Sequence, residues 1–319
     1  MTQPTSVRIG TSDLAVAPLA LGGNVFGWTA DRDTSFEVLD TFVAGGGDFI
    51  DTADGYSAWE PGNTGGESET IIGEWLAARG GRDGVTIATK VSSHPEFLGL
   101  AAANVHAAAD ASLTRLATDR IDLYYAHFDD ADTPLEETVA AFSSLVDAGK
   151  VRAIGVSNYT AERVAEWFRI ARDGGYHLPV ALQPHYNLVE RGFETNGLRA
   201  VAEVEGLSVI PYFSLAEGFL AGKYRSDADV TAPGASARAG DAAVYLNDRG
   251  RMVLAELDRV AAAHGAPVAS VSLAWLRQQP TIVAPLASAR VPSQLEALLA
   301  SMTLELTGDE VAALNAASE

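Results

Sequence analysis

Four residues of this chain stand where short apolar runs give way to polar ones, and their types suit one reaction. The run DFIDTADGY carries Asp51 and Tyr56, VTIATK ends on Lys90, and IDLYYAH ends on His127. Reducing a carbonyl leaves negative charge on its oxygen, which then needs a proton. A free phenol, with a pKa of about 10, holds its proton tightly. An ammonium beside it stabilises the phenolate and makes the phenol a better acid. A buried carboxylate keeps that ammonium charged, and an imidazole within reach orients the carbonyl or assists the proton transfer. Singly, each residue has a plainer reading: Lys90 as an ion-pair partner, Asp51 as a loop cap, Tyr56 as a surface aromatic, His127 as a satisfied core histidine. Together, on three successive strand ends, they point to proton and hydride chemistry at one rim.

Such a rim needs strands to carry it. Eight apolar runs rich in Val, Ile and Tyr read as strands: Pro18–Gly22, Asp48–Asp54, Val85–Val91, Ile121–His127, Ile154–Asn158, Val180–Asn187, Ser208–Leu215 and Thr281–Ala287. They are nearly continuous rather than alternating, as strands buried on both faces are. Helix signals fill the gaps. Thr34 with Glu37 forms a capping box ahead of Phe36, Leu39 and Phe42, and Thr133-Pro134-Leu135-Glu136 offers an N-cap with proline at the first helical position. Thr160 opens a helix that Gly174 and Gly175 close, and Thr307 with Glu310 opens the last one. Eight strand–helix repeats predict an α/β fold, a single (β/α)₈ TIM barrel over residues 1–319. An open doubly wound sheet would carry a glycine-rich turn after its first strand, and none is there. Val7–Ile9 and Leu14–Ala17 around Gly10-Thr11-Ser12-Asp13 predict an N-terminal β-hairpin that plugs the barrel bottom. Residues 216–247, rich in Gly, Ala, Asp and Ser, predict a long lid loop after strand seven.

Composition narrows the partners. Of 319 residues, 22 are Lys or Arg and 42 are Asp or Glu, a formal charge of −20. Such a surface repels phosphate backbones and anionic lipid, so neither nucleic acid nor membrane is expected. The absence of cysteine removes disulfides, thiolate metal sites and thiol nucleophiles, and no metal is expected. The N-terminal segment has no basic start and apolar core, which predicts a cytoplasmic protein. A phosphate-bearing cofactor would need local basic residues.

The same segments resemble the aldo-keto reductase superfamily from about Val7 to Leu314. DFIDTADGYSAWEPGNTGGESETIIGEWL is similar to its first hallmark, with Asp51, Tyr56, Gly66, Ser68 and Glu69 in place. IDLYYAHFDDADTPLEETVAAFSSLVDAGKVRAIGVSN and VIPYFSLAEGFLAGKY are similar to two more. The resemblance implies a catalytic tetrad of Asp51, Tyr56, Lys90 and His127, with Tyr56 as general acid in reduction and general base in oxidation. It implies NADPH extended across the barrel mouth. Ser157, Asn158 and Gln183 would hold the nicotinamide carboxamide, Tyr212 would stack on the ring, and Gly23 and Asn24 would lie close by. Leu215 to Lys223, with Gly218 and Gly222, would wrap the pyrophosphate. Ser288 and Arg290, with Gln294 four residues on, resemble a clamp for the 2′-phosphate, as a hydroxyl and a guanidinium suit a dianion. The chain departs from the pattern at Phe213-Ser214, Ala287 and Leu298, which sit at cofactor-contacting places.

Trp28, Trp59 and Phe128 are rim aromatics expected to line an apolar substrate pocket, with Ala58–Thr64 narrowing its mouth. The expected partner is a small carbonyl compound; the oligomeric state is left open. Two other readings exist. A metal-dependent hydrolase would use His127, Asp129, Asp130, Asp51 and His185, which leaves Lys90 and Tyr56 without a role. An NADPH-binding regulator is the second, since the resemblance extends to potassium-channel β subunits.

Overall fold

The computed structural model describes residues 5–232 and 235–319. The first four residues of the segment read above for targeting, and positions 233–234 of the long connection, lie outside the described residues. Eight strands form one sheet: β1 (Ala20–Gly22), β2 (Phe49–Asp51), β3 (Thr86–Val91), β4 (Ile121–Ala126), β5 (Val151–Ser157), β6 (Pro179–Gln183), β7 (Ser208–Val209) and β8 (Leu286–Ala287). The order β7-β6-β5-β4-β3-β2-β1-β8 and the parallel pairing of every neighbour are those of a (β/α)₈ barrel. The seam between β7 and β8 is stitched by three backbone bonds: Val209 N to Thr281 O at 2.9 Å, Val283 N to Val209 O at 3.0 Å and Leu286 N to Pro211 O at 3.0 Å.

The expected strands are all present, but all except β5 are shorter than their apolar runs, and the last three are trimmed by three or more residues at a proline. Proline explains the trimming, because it brings no N–H to a ladder. Pro184 ends β6 after Gln183, Pro211 follows β7, and Pro285 stands just before β8. β5 instead starts three residues early, at Val151.

Between the strands run α1 (Arg32–Ala44), α2 (Glu67–Ala78), α3 (Ala102–Arg115), α4 (Leu135–Asp147), α5 (Ala161–Gly174) and α6 (Leu198–Glu205). Two capping expectations are corrected. α1 starts earlier than the Thr34 box predicts: Asp31 is its N-cap and accepts from Thr34 N at 2.9 Å, since an aspartate there meets the free amides one turn sooner. α4 starts at Leu135 with Pro134 as N-cap; Thr133 turns away to donate its hydroxyl to Asp130. The caps at Thr160 and Thr307 form as expected, and Gly175 ends α5 in the left-handed region at φ 68°.

The hairpin is there too. Val7–Arg8 pairs antiparallel with Ala15–Val16. Ile9, Leu14 and Val16 pack with Phe49, Leu123, Ala181 and Ile210 inside the barrel floor, and Gly10 N donates to Ser208 Oγ at 2.7 Å. Residues 216–247 are not the bare loop expected. They hold short helical turns at Ala216–Ala221, Asp227–Val230, Ala239–Ala242 and Ala243–Tyr245, pinned by buried Phe219, Leu220, Ala239 and Ala242. Apolar residues at the ends of these turns, too short to show periodicity, make the connection a packed cover.

Candidate active site

The C-terminal ends of the strands open into a cleft of about 750 Å³. Just beneath its floor Lys90, with no exposed side-chain surface, gathers three oxygens. Its ammonium donates to Asp51 Oδ2, to Thr52 O at 2.7 Å and to Tyr56 Oη at 2.9 Å. Gln183 Nε2 donates to the other Asp51 oxygen at 2.8 Å. Lys90 and Asp51 sit at the inner ends of β3 and β2, while Tyr56 lies on a turn beyond β2 tied by Tyr56 N to Ala53 O.

Burial drives the proton equilibria here. It pushes the Lys90 amine down more than any other single influence, but Asp51 and Tyr56, through charge and hydrogen bonds together, outweigh it and hold the ammonium above its ordinary value. Burial pushes the Asp51 carboxyl up against the pull of Lys90; with two donors on its oxygens the group is held as the partner carboxylate. Tyr56 departs from the sequence expectation. Burial raises its phenol and the Lys90 charge recovers only part of the rise, so the net direction is upward. The phenol therefore keeps its proton at neutral pH. His127 is pushed well below the ordinary imidazole value by burial and then by Lys90, so it is neutral. Its Nδ1 lies 3.2 Å from Ser93 Oγ. With that hydroxyl donating, Nε2 carries the hydrogen and offers a donor.

The other expected residues divide in two. Asn24, Ser157, Asn158, Gln183, Tyr212, Phe213, Ser214, Leu215, Gly218, Lys223, Ala287, Ser288, Arg290 and Gln294 all line the cleft, as do Trp59 and Phe128. Gly23 and the ion pair of Asp51 and Lys90 do not, the pair being sealed just beneath the floor. Gly23 is locked beneath, its N–H donating to Asp51 O at 2.8 Å and its carbonyl accepting from Ser68 Oγ at 2.8 Å. Trp28 stands one layer out, edge-on to Trp59 with centroids 5.5 Å apart.

Several polar groups have partners of their own. Ser157 Oγ donates to Gln183 O at 2.8 Å. Asn158, left-handed at φ 58°, donates to His127 O and accepts from Tyr212 Oη at 2.9 Å. Tyr212 stacks on His185 with centroids 5.2 Å apart. The Ser288 hydroxyl meets Asn24 Oδ1, so it links β8 to β1 as well as facing the cleft.

At the far end Lys223 and Arg290 approach each other. Burial and the Arg290 charge push the Lys223 ammonium below its ordinary value. Among the described residues neither has a carboxylate within salt-bridge distance. The chain beside them is strained: Phe213, Ala216 and Glu217 are left-handed at φ 52°, 46° and 58°, and Gly218 follows at 97°. Left-handed non-glycine residues cost roughly 1–3 kcal/mol each and collect at functional sites.

Sequence reasoning missed Ser93, Glu217, Ser236 and Arg238, which also line the cleft. Arg238 lies over the Trp28 ring at 5.3 Å and the Phe213 ring at 5.6 Å. An arginine in an Ala/Gly-rich stretch carries no signal of where it will reach. The hydrolase constellation does not assemble. Asp129 is committed to Arg163 at 2.9 Å, and Asp130 holds the Leu100 amide and the Thr133 hydroxyl.

Residues 18–319 match the sequence model of the Aldo/keto reductase family. Similar proteins include norsolorinic acid reductase B of Aspergillus parasiticus, 31% identical over 97% of this chain and 82% of its own. An aryl-alcohol dehydrogenase (NADP(+)) of Phanerodontia chrysosporium is 31% identical over 95% and 82%. Aldo-keto reductase YhdN of Bacillus subtilis is 34% identical over 93% and 87%. No helix among the described residues is long and apolar enough to cross a membrane.

Proposed function

Because the chain belongs to the aldo/keto reductase family, we propose that it works in the cytoplasm as one barrel domain over residues 1–319, reducing an aromatic aldehyde or ketone with NADPH and Tyr56 as the acid. The observation that carries this is the Tyr56–Lys90–Asp51 chain, with the phenol at the cleft and the ion pair sealed behind it. The cleft suits the cofactor by its donor set. Lys223 and Arg290 are adjacent cations with no carboxylate paired to them among the described residues, in a protein of charge −20. Two like charges held together await an anion. Tyr212 offers a ring face for the nicotinamide, Asn158 and Gln183 offer amide edges, and the strained turn from Phe213 to Gly218 would let backbone amides hold the pyrophosphate.

Bound there, the cofactor supplies the hydride. The protein does the rest. The neutral His127 donates a hydrogen bond from Nε2 to the carbonyl oxygen and fixes its position. Tyr56 Oη gives its proton to that oxygen as negative charge develops, and the Lys90 ammonium stabilises the phenolate left behind. Asp51, oriented by Gln183, keeps Lys90 charged. In the alcohol-oxidising direction the same phenolate takes the proton back.

The substrate end is walled by rings. Trp59 lies 6.2 Å from Tyr56 and edge-on to Trp28, and Phe128 stacks on His127 at 4.5 Å. Trp59 and Phe128 are 50% and 47% exposed, a large exposure for such rings at the mouth of a cleft. Apolar walls with few polar groups favour aryl carbonyls, as does the similarity to an aryl-alcohol dehydrogenase. The test is a panel of aryl and short aliphatic aldehydes and ketones, followed by NADPH absorbance. Aryl aldehydes should give the highest kcat/KM; a flat panel, or no turnover with any member, would reject the reading.

Arg290→Ala tests the cofactor half. Losing a charge-assisted contact with phosphate costs about 1.5–3 kcal/mol, so NADPH should bind roughly 10- to 100-fold more weakly. NADH, which lacks the 2′-phosphate, should bind almost unchanged. Fluorescence titration of both cofactors measures it, and equal losses would show that Arg290 does not read the phosphate.

A further inference from the structure

Behind the floor of the cleft, between the sheet and the helices α2 and α3, lies a second group of acids that the reaction above does not use. Asp54 is fully buried, and its backbone N–H donates to Lys90 O at 3.1 Å. Neither side-chain oxygen has a partner of good hydrogen-bond geometry; the donor nearest in the chain is the Gly55 backbone N–H, which offsets only a small part of the cost of burial. Glu69 is buried beside it, yet is fully served: Arg115 Nε donates to it at 2.7 Å and Thr89 Oγ1 at 2.5 Å. The groups facing Asp54 are Glu69 from α2, Arg115 from α3, Lys90 from β3 and Tyr124 from β4. Tyr124 Oη is itself buried without a partner. One guanidinium thus stands against two carboxyl groups, and it is spent on Glu69.

A buried carboxylate with no well-aligned donor on either oxygen is far more costly than a neutral carboxylic acid in the same place. Two acids that share a site do not both ionise. We infer that Asp54 is held as a neutral carboxylic acid behind Lys90, and that its proton sets how much of the ammonium's field reaches Tyr56. Asp54 is a positioning residue in this sense: it touches neither substrate nor cofactor and acts through Lys90. Its ionisation would set a second negative charge behind an ammonium that already serves Asp51. The phenolate at Tyr56 would then be less stabilised, and the phenol a weaker acid. Burial, and next the Glu69 charge, push the Asp54 carboxyl up to about 8, while Tyr56 is pushed above its ordinary value of 10.0. The two losses of reduction rate are therefore separated on the pH axis.

The inference rests on Tyr56 being the acid, so one measurement must not need turnover. Difference infrared spectroscopy of the wild-type protein should show a protonated-carboxyl C=O band that titrates away around pH 8 and is missing in Asp54→Asn. Asn keeps the shape and cannot ionise. The folded-state value of about 8 lies above the ordinary 3.8. Stability from this proton is thus complete below about pH 4 and is lost as pH rises through about 8. The melting temperature of wild type should fall relative to Asp54→Asn across that window. In kcat/KM for aldehyde reduction, wild type should lose activity on passing pH 8, whereas Asp54→Asn should hold its rate for a further pH unit or more. A wild-type spectrum without the band at pH 6 overturns the inference even where the variant does not fold. So do superimposable pH profiles of two folded, active proteins. A titrating band in a protein that turns over no carbonyl would leave the Asp54 assignment standing and sink the proposed reaction instead.

Discussion

Tyr56→Phe is expected to cut kcat/KM for carbonyl reduction by roughly 10²- to 10⁴-fold, the usual worth of a positioned general acid. The substitution removes one oxygen and leaves the ring that packs against Trp59 and His127. Lys90 loses one of its three acceptors but keeps Asp51 and Thr52, so the fold should be little disturbed. NADPH affinity should also be nearly unchanged, because in the proposed reaction the phenol oxygen meets the carbonyl rather than the phosphates. Steady-state kinetics and a cofactor titration on the same preparation separate the two. A Phe variant that reduces aldehydes at close to the wild-type rate would strip Tyr56 of the role. The upward net direction of the Tyr56 phenol adds a pH condition. Reduction needs the protonated form, so the loss due to this group falls above pH 10.0, and the oxidation of an alcohol should gain in the same range.

The second large effect is on stability. Lys90 and Asp51 have no exposed side-chain surface. Breaking a buried pair from one side typically costs about 3–5 kcal/mol, because the remaining charge has neither solvent nor counter-charge. Lys90→Met should therefore lower the free energy of unfolding by about that amount near neutral pH, besides abolishing reduction. Adding Asp51→Asn removes the orphaned charge, and the double variant should recover a good part of the loss. Urea denaturation of wild type, both single variants and the double variant gives the coupling directly. Strict additivity would mean that the two groups do not form the interacting pair on which the proposed role of Tyr56 depends.

The two expectations lean on different parts of the sequence signal. Asp51, Tyr56, Lys90 and His127 could be read as a group because each follows its own buried strand, and strands buried on both faces announce themselves as apolar runs. The corrections fall where a local signal had a competitor. Pro184, Pro211 and Pro285 cut the runs that seemed to continue through them. Asp31 took the cap that Thr34 seemed to offer. The short turns of residues 216–247 lie below the length at which helical spacing shows, and what makes them a cover is burial of Phe219, Leu220, Ala239 and Ala242 against the rest of the chain.

By itself, then, the sequence determined the strand–helix alternation, the four groups at the rim and the family, because each is written in neighbouring residues or in spacing along one element. Tertiary structure alone decided which partner each polar atom takes. Gln183 reaches Asp51 across 132 positions, Ser288 reaches Asn24 across 264, and Arg238 comes to lie over Trp28. It also decided that Asp54, one more acid in an acidic chain, would be sealed from water beside Glu69, with the one nearby guanidinium spent on that neighbour. Proton affinity depends on burial and on the charges a few ångströms away, and contacts between distant segments create both only when the barrel closes.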